Sequence, residues 1–303
     1  VLEFFQDTAR YTFLQYALIT GILSSVACGI VGSYVTIRRI SYIAGAIAHS
    51  VLGGMGAARY LQRNLGWSFL SPIHGAVFAA LLSAIIIGMV SLYGKEREDT
   101  VLSAVWAIGM AVGIVFITRT AGYNEDLMSY LFGNILMVRK TDLLLIVGLD
   151  LLVVAVSFLF YHQLEAICFD EEFARLRGVS VELFYILLLC LTALTVVTLV
   201  QVVGIVMVIA LLSLPAAAAA FLTRQLWQTI LVAIALNVLF MVGGLALSYR
   251  PDLPAGATII IMAGVVYLLV VTLGPLAKRM FKSRKRSRTR APVQRRNAEQ
   301  SEG

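Results

Sequence analysis

Charge is the scarcest property of this chain. Asp, Glu, Lys and Arg make up 14% of its 303 residues, while 60% are apolar. A globular domain of this length needs a far more charged surface. Together with a mean hydropathy of +0.89, that shortage excludes a soluble enzyme and points to a protein dissolved in lipid. Cysteine is nearly as scarce. Cys28 and Cys190 lie in apolar runs and Cys168 beside a charged segment, with no paired motif, so neither a disulfide framework nor a thiolate cluster is expected. There is no GxxxxGK[ST] phosphate loop and no long soluble stretch to hold one, so nucleotide chemistry is not expected in this chain. The start, Val1 to Arg10, carries Glu3 and Asp7 where a cleavable signal peptide needs a basic region.

Long apolar runs are abundant. About 20 helical residues cross the hydrocarbon of a bilayer, and candidates appear at 12–37, 41–61, 72–93, 101–118, 143–161, 183–201, 203–222, 227–248 and 257–276. They are expected to be helices, because isolated strands leave backbone groups unsatisfied in lipid. The predicted fold is an all-α polytopic membrane protein of about nine transmembrane helices, or eight if one run is re-entrant. The stretch 183–222 would make a helix of roughly 60 Å, twice the membrane, so it must turn near Gln201. Asn124 to Val138 is too polar at its start for a crossing and reads as a short helix or re-entrant turn. The chain therefore divides into a flank (1–11), a transmembrane domain (12–277) and a tail (278–303).

That tail accounts for the net charge of +7: between Lys278 and Gly303 stand ten basic and two acidic residues. It reads as a disordered polybasic segment facing anionic cytoplasmic lipids. A nucleic-acid arm would look similar, but tethering beside a span favours lipid. Placing the tail inside puts Arg224, the Asp170 region, Lys95 to Asp99 and Arg38-Arg39 on the cytoplasmic side too. Apart from the tail the basic residues are nearly balanced between the two sides. Small residues (Gly29, Gly32, Gly53, Gly54, Gly56, Gly109, Gly113) are placed to let helices approach. Pro215 is expected to kink its helix.

Three polar features stand out. Asp170-Glu171-Glu172-Phe173-Ala174-Arg175-Leu176-Arg177-Gly178 is a charged island between apolar runs. Its mixed signs, interleaved with Phe169, Phe173 and Leu176, fit a short amphipathic helix gripped by another protein, within a segment near 169–182. His49 lies roughly 13 Å along the second run. It is either a transient ligand for a borderline metal or a hydrogen-bonded packing histidine. His74 and His162 sit near span ends and read as interfacial. Asp150 falls mid-span, where a lone carboxylate is costly. It would line a polar cavity, pair with a cation, be protonated, or belong to a helix shifted toward the interface. Asn237 and Gln201 could add uncharged hydrogen bonds. Energy for active transport would come from a separate ATPase or an ion gradient.

Several ordered segments carry a resemblance: Gly32-Ser33-Tyr34-Val35 through Arg38-Arg39-Ile40-Ser41-Tyr42 with Ala48-His49; Arg97 to Thr100; Asp126 to Gly133; Asp170 to Arg175 with Gly178-Val179; Val202-Val203-Gly204 before Leu214-Pro215-Ala216; and Asp252 to Gly256. Over roughly residues 14–275 the chain resembles the permease subunits of the bacterial zinc/manganese/iron ABC importers, the ABC-3 family. The resemblance implies a multi-pass protein of the bacterial cytoplasmic (inner) membrane. Its implied partners are a second permease subunit (identical or closely related), cytoplasmic ABC ATPases that bind the ATP, and an extracytoplasmic metal-binding protein. It implies no covalent chemistry and no stably bound cofactor, with a divalent metal as cargo. Asp170, Glu171, Glu172, Phe173, Arg175, Arg177 and Gly178 would form the segment docked in the ATPase, and Gly45, Gly204 and Pro215 would shape or pack helices.

The chain departs from the family pattern at Gly45, where many members carry an aspartate one turn before the histidine. Asp and His at i and i+4 face the same side, so His49 lacks that partner. Asn134 likewise replaces a common aspartate. The contacts on a metal would then be His49, Asp150, carbonyls, water or another subunit's residues. The rivals are an importer of a metal chelate, cobalamin or siderophore, and a secondary transporter using Asp150 as an ion relay.

Overall fold

A computed structural model describes residues 2–67, 69–94, 97–120, 133, 135, 140–251 and 253–274. Among these residues there is no strand, and each of the nine apolar runs is helical over most of its described length. In chain order the helices are α1 (Leu2–Arg10), α2 (Thr12–Ile37), α3 (Ser41–Asn64), α4 (Pro72–Tyr93), α5 (Glu98–Arg119), α6 (Lys140–Leu159), α7 (Tyr161–Phe169), α8 (Glu171–Leu176), α9 (Val181–Val203), α10 (Ile205–Leu222) and α11 (Leu226–Tyr249), followed by α12 (Ala255–Gly274). The tail 278–303 and nearly all of Asn124 to Val138 lie outside the described residues.

Seven described helices are long and apolar enough to cross a membrane: α2, α4, α5, α9, α10, α11 and α12. The bent pair α6–α7 makes an eighth. The predicted second span, α3, is diluted by Ser41, His49, Ser50, Arg59, Gln62, Arg63 and Asn64. It is sheltered instead, packed between α4 and α5. Glycine permits this. A Cβ at Gly53 would lie 2.8 Å from the Gly109 carbonyl, one at Gly56 2.8 Å from that of Gly113, and one at Gly54 would strike the Gly75 carbonyl. Backbone therefore rides on backbone along both neighbours of α3. The other organising helix is α2, buried on most sides and in contact with α6, α9, α10 and α11.

The expected turn within 183–222 occurs at Gly204, whose φ of 81° and ψ of 166° separate α9 from α10. That backbone region is open essentially to glycine alone. Pro215 lies inside α10, which continues through it. Two residues before the proline, the Ser213 hydroxyl donates to the Ile209 carbonyl at 2.5 Å. The fifth run stops two residues earlier than expected. The chain bends 73° at Phe160, and α7 then packs against α9 and α2. Within the flank, Leu2–Arg10 forms α1, fastened by the Tyr249 hydroxyl donating to the Asp7 carboxylate at 2.9 Å and by Phe4 edge-on to Tyr249.

Candidate coupling surface and transport pathway

The charged island forms a real but short helix. Asp170 is the N-cap of α8 and its Oδ1 accepts from the Phe173 amide at 2.9 Å. Such a cap is worth about 1 kcal/mol. Glu171 and Glu172 fill the first turn and Arg175 the last, matching the helix dipole. Gly178, at φ 79°, turns the chain out of the helix. Only Ala174 of α8 is buried. Phe169 is exposed, Phe173 is 51% exposed and Leu176 87% exposed, so the apolar residues face away from the bundle. Arg177 lies over the Phe173 ring at 4.8 Å, and Arg175 pairs with Glu182 at 2.7 Å.

Three of the polar segments expected on one side do converge. Arg38, at the end of α2, reaches Glu171 Oε1 at 2.6 Å. Its other guanidinium nitrogen donates to the Ile167 carbonyl, and its plane stands 5.0 Å from the Tyr185 ring. The Tyr185 hydroxyl meets Ser91 at 3.3 Å, and Ser91 donates to Glu98. Arg38, Arg39, Ile40, Glu98, Glu171 and Tyr185 line an open cavity of about 420 Å³.

His49 stands half-buried on α3, stacked on Trp106 of α5 with centroids 4.0 Å apart and planes 15° from parallel. Its Nδ1 is buried without a hydrogen-bond partner. A Cβ at Gly45 would lie 3.6 Å from Trp106 Cζ3 and 3.2 Å from Ile209 Cδ1. The indole thus packs over the face where a carboxylate at position 45 would project. Absence of that side chain and presence of the stacked indole form one local arrangement. Nothing in sequence spacing couples residues 45, 49 and 106; only the glycines on α3 and α5 hinted that these helices touch.

Asp150 is 4% exposed, in the middle of α6. Thr198 of α9 and Cys28 of α2 are its neighbours. The Thr198 hydroxyl donates instead to the Thr195 carbonyl at 2.8 Å, which leaves both carboxylate oxygens unpartnered. His49 and Asp150 lie on different helix groups, α3–α5 and α2–α6–α9, and among the described residues no three His, Cys, Asp or Glu side chains gather into a metal cluster. Asn237 is buried with neither amide atom partnered. His74 has a local role, its Nδ1 lying 2.6 Å from the Ser71 hydroxyl in the cap of α4.

Residues 10–274 match the ABC 3 transport family. The chain belongs to that family. A probable metal transport system membrane protein of Chlamydia muridarum is 42% identical over 257 residues, 85% of this chain and 87% of its own. The manganese transport system membrane protein MntC of Halalkalibacterium halodurans is 35% identical over 272 residues, covering 90% and 91%. Among solved structures, PsaBC from Streptococcus pneumoniae in complex with Fab superposes with a TM-score of 0.79 at 32% identity, covering 89% of this chain and 94% of that one. As an ABC 3 permease the chain is the multi-pass membrane subunit of an ABC transporter, not its catalytic subunit.

Proposed function

We propose that this ABC 3 permease carries a bare divalent metal ion across the bacterial cytoplasmic membrane, zinc or manganese first and iron next. The observation that carries this reading is His49, an imidazole within the bundle whose buried Nδ1 has no partner. A free ring nitrogen is a ligand for a borderline metal. A site with few ligands releases its ion readily, as conduction requires. The relatives named for metal and manganese transport support the same cargo class.

In this reading two permease subunits enclose the pathway. An extracytoplasmic binding protein delivers the metal and selects among ions. Cytoplasmic ATPases bind ATP and grip Phe173, Leu176 and the charges of α8. Reconstitution of the permease with its ATPase and binding protein, with zinc, manganese and iron in competition, tests this directly. ATP-dependent uptake of one of these ions is expected. His49→Ala should lower uptake on the order of tenfold while complex yield stays within about twofold. Equal losses of uptake and yield would make His49 a packing residue.

Asp150 supports a second reading, ion-coupled secondary transport, because an unpartnered buried carboxylate is the usual seat of an ion relay. Uptake without the ATPase, abolished by Asp150→Asn, is the result that would favour it. A preference for a chelated metal over the free ion in the same vesicles would favour a chelate, cobalamin or siderophore importer.

A further inference from the structure

We infer that Arg38 is the positioning residue that passes movement of the coupling helix α8 to α3, the helix bearing His49. This rests on the role proposed above for α8 as the ATPase-docking segment.

Helix α8 has little hold on the rest of the protein. It is six residues long, only its Ala174 is buried, and its large apolar side chains face outward. Arg38 is its half-buried polar tie to the end of α2, beside the more exposed Arg175–Glu182 pair that joins α8 to α9. Its side chain is only 16% exposed, so the pair with Glu171 is shielded from water on one side and stronger than a surface ion pair. One guanidinium holds α8 through Glu171, α7 through the Ile167 carbonyl and α9 through the Tyr185 face. The planar fork allows this, whereas an ammonium would satisfy these directions less well. A pull on α8 is therefore felt at the end of α2.

From there the route to α3 is short and stiff. The Arg39 amide donates to the Thr36 carbonyl at 3.1 Å and the Ile40 amide to Val35 at 3.0 Å. Arg39 itself adopts φ 63°, a conformation non-glycine residues rarely take. Then α3 begins at Ser41. Along α5 it meets glycine backbone at Gly109 and Gly113, and the ring pairs His49–Trp106 and Tyr60–Phe116 cross the same close seam, so displacement of α3 is felt by those side chains. Motion of α3 along α5 would change the stacking of His49 on Trp106, and with it access to the free Nδ1.

The test uses the complex purified with its ATPase, in a variant whose three native cysteines are replaced. Spin labels are placed at Tyr42 on α3 and at Arg224 in the α10–α11 connection, both exposed. ATP with vanadate is expected to shift the distance between labels in the parent. In Arg38→Gln the shift should vanish and metal transported per ATP hydrolysed should fall on the order of tenfold, with the ATPase still bound. Arg38→Lys should recover part of both. A persisting shift in Arg38→Gln would overturn the inference, as would its absence in the parent. Loss of the ATPase from Arg38→Gln would also overturn it, by making Arg38 part of the docking surface. The cargo reading fails separately: a parent that shows the distance shift but takes up no metal ion refutes the cargo and leaves the link through Arg38 standing.

Discussion

At the scale of single residues, the decisive arrangement is Gly45, His49 and Trp106. With no side chain at 45 the indole covers His49, and the imidazole offers one nitrogen without an adjacent carboxylate. Position 45 is helical, so aspartate is compatible with the backbone. Its Cβ would press on the ends of the Ile209 and Trp106 side chains rather than on backbone. Gly45→Asp should therefore fold and place a carboxylate one turn from His49. A second, charged ligand tightens metal binding on the order of tenfold or more, and a tighter site should slow release. Calorimetric affinity should rise while turnover falls. Unchanged affinity would show that the two side chains do not share an ion. The carboxylate missing from position 45 was legible in sequence because the histidine stood out; the stacked indole was not, since residues 49 and 106 meet only through tertiary packing. Asp150 shows the same division. Its place within an apolar run was legible from hydropathy, but its lack of a donor depends on Thr198 turning its hydroxyl to its own helix. Asp150→Asn removes a potential charge from a site with no compensation. It should raise the thermal midpoint of the detergent-solubilised protein by a few degrees and leave ATP-driven uptake intact. Loss of uptake would place Asp150 on the pathway.

At the scale of helices, apolar length located the crossings, and backbone chemistry decided where they end. The break between α9 and α10 follows from Gly204 occupying φ 81° and ψ 166°. Gly204→Ala keeps the apolarity of both spans but forces an L-residue into that region, at a cost of about 1–3 kcal/mol. The expected outcome is a lower thermal midpoint and reduced yield in the membrane. A midpoint unchanged from the parent would mean the connection relaxes without strain. The bend at Phe160 had no such marker. No glycine or proline stands there, and the aromatic pair Phe160-Tyr161 extends the apolar run two residues past the end of α6. The low hydropathy of α3 is the converse case. A helix enclosed by α4 and α5 through glycine contacts needs less apolar surface than one bathed in lipid, and it is the helix that holds the candidate ligand.

At the scale of the whole molecule, side-chain contacts sort the helix ends into two faces. Arg38, Glu98, Glu171 and Tyr185 share one face, and Gly274 packs beside Phe221 near the end of α10. The opposite face holds α1 against Tyr249 and Arg250, with Asn64 donating to the Arg119 carbonyl at 3.3 Å. Basic residues outside the tail could not orient the chain, because they are nearly balanced between these faces. Helix α12 ends at Gly274 on the α8 face, and ten basic residues follow it in sequence, so the positive-inside rule predicts that α8 faces the cytoplasm. The consequence is checked with single cysteines in a cysteine-free background, at Leu176 on α8 and at Phe69 in the α3–α4 connection, both well exposed. A membrane-impermeant maleimide should label Leu176→Cys only in inverted vesicles and Phe69→Cys only in right-side-out vesicles. Labelling of both from one side would refute the division into faces. A clean reversal would preserve the fold but put α8 out of reach of ATP, and coupling through Arg38 would fall with it.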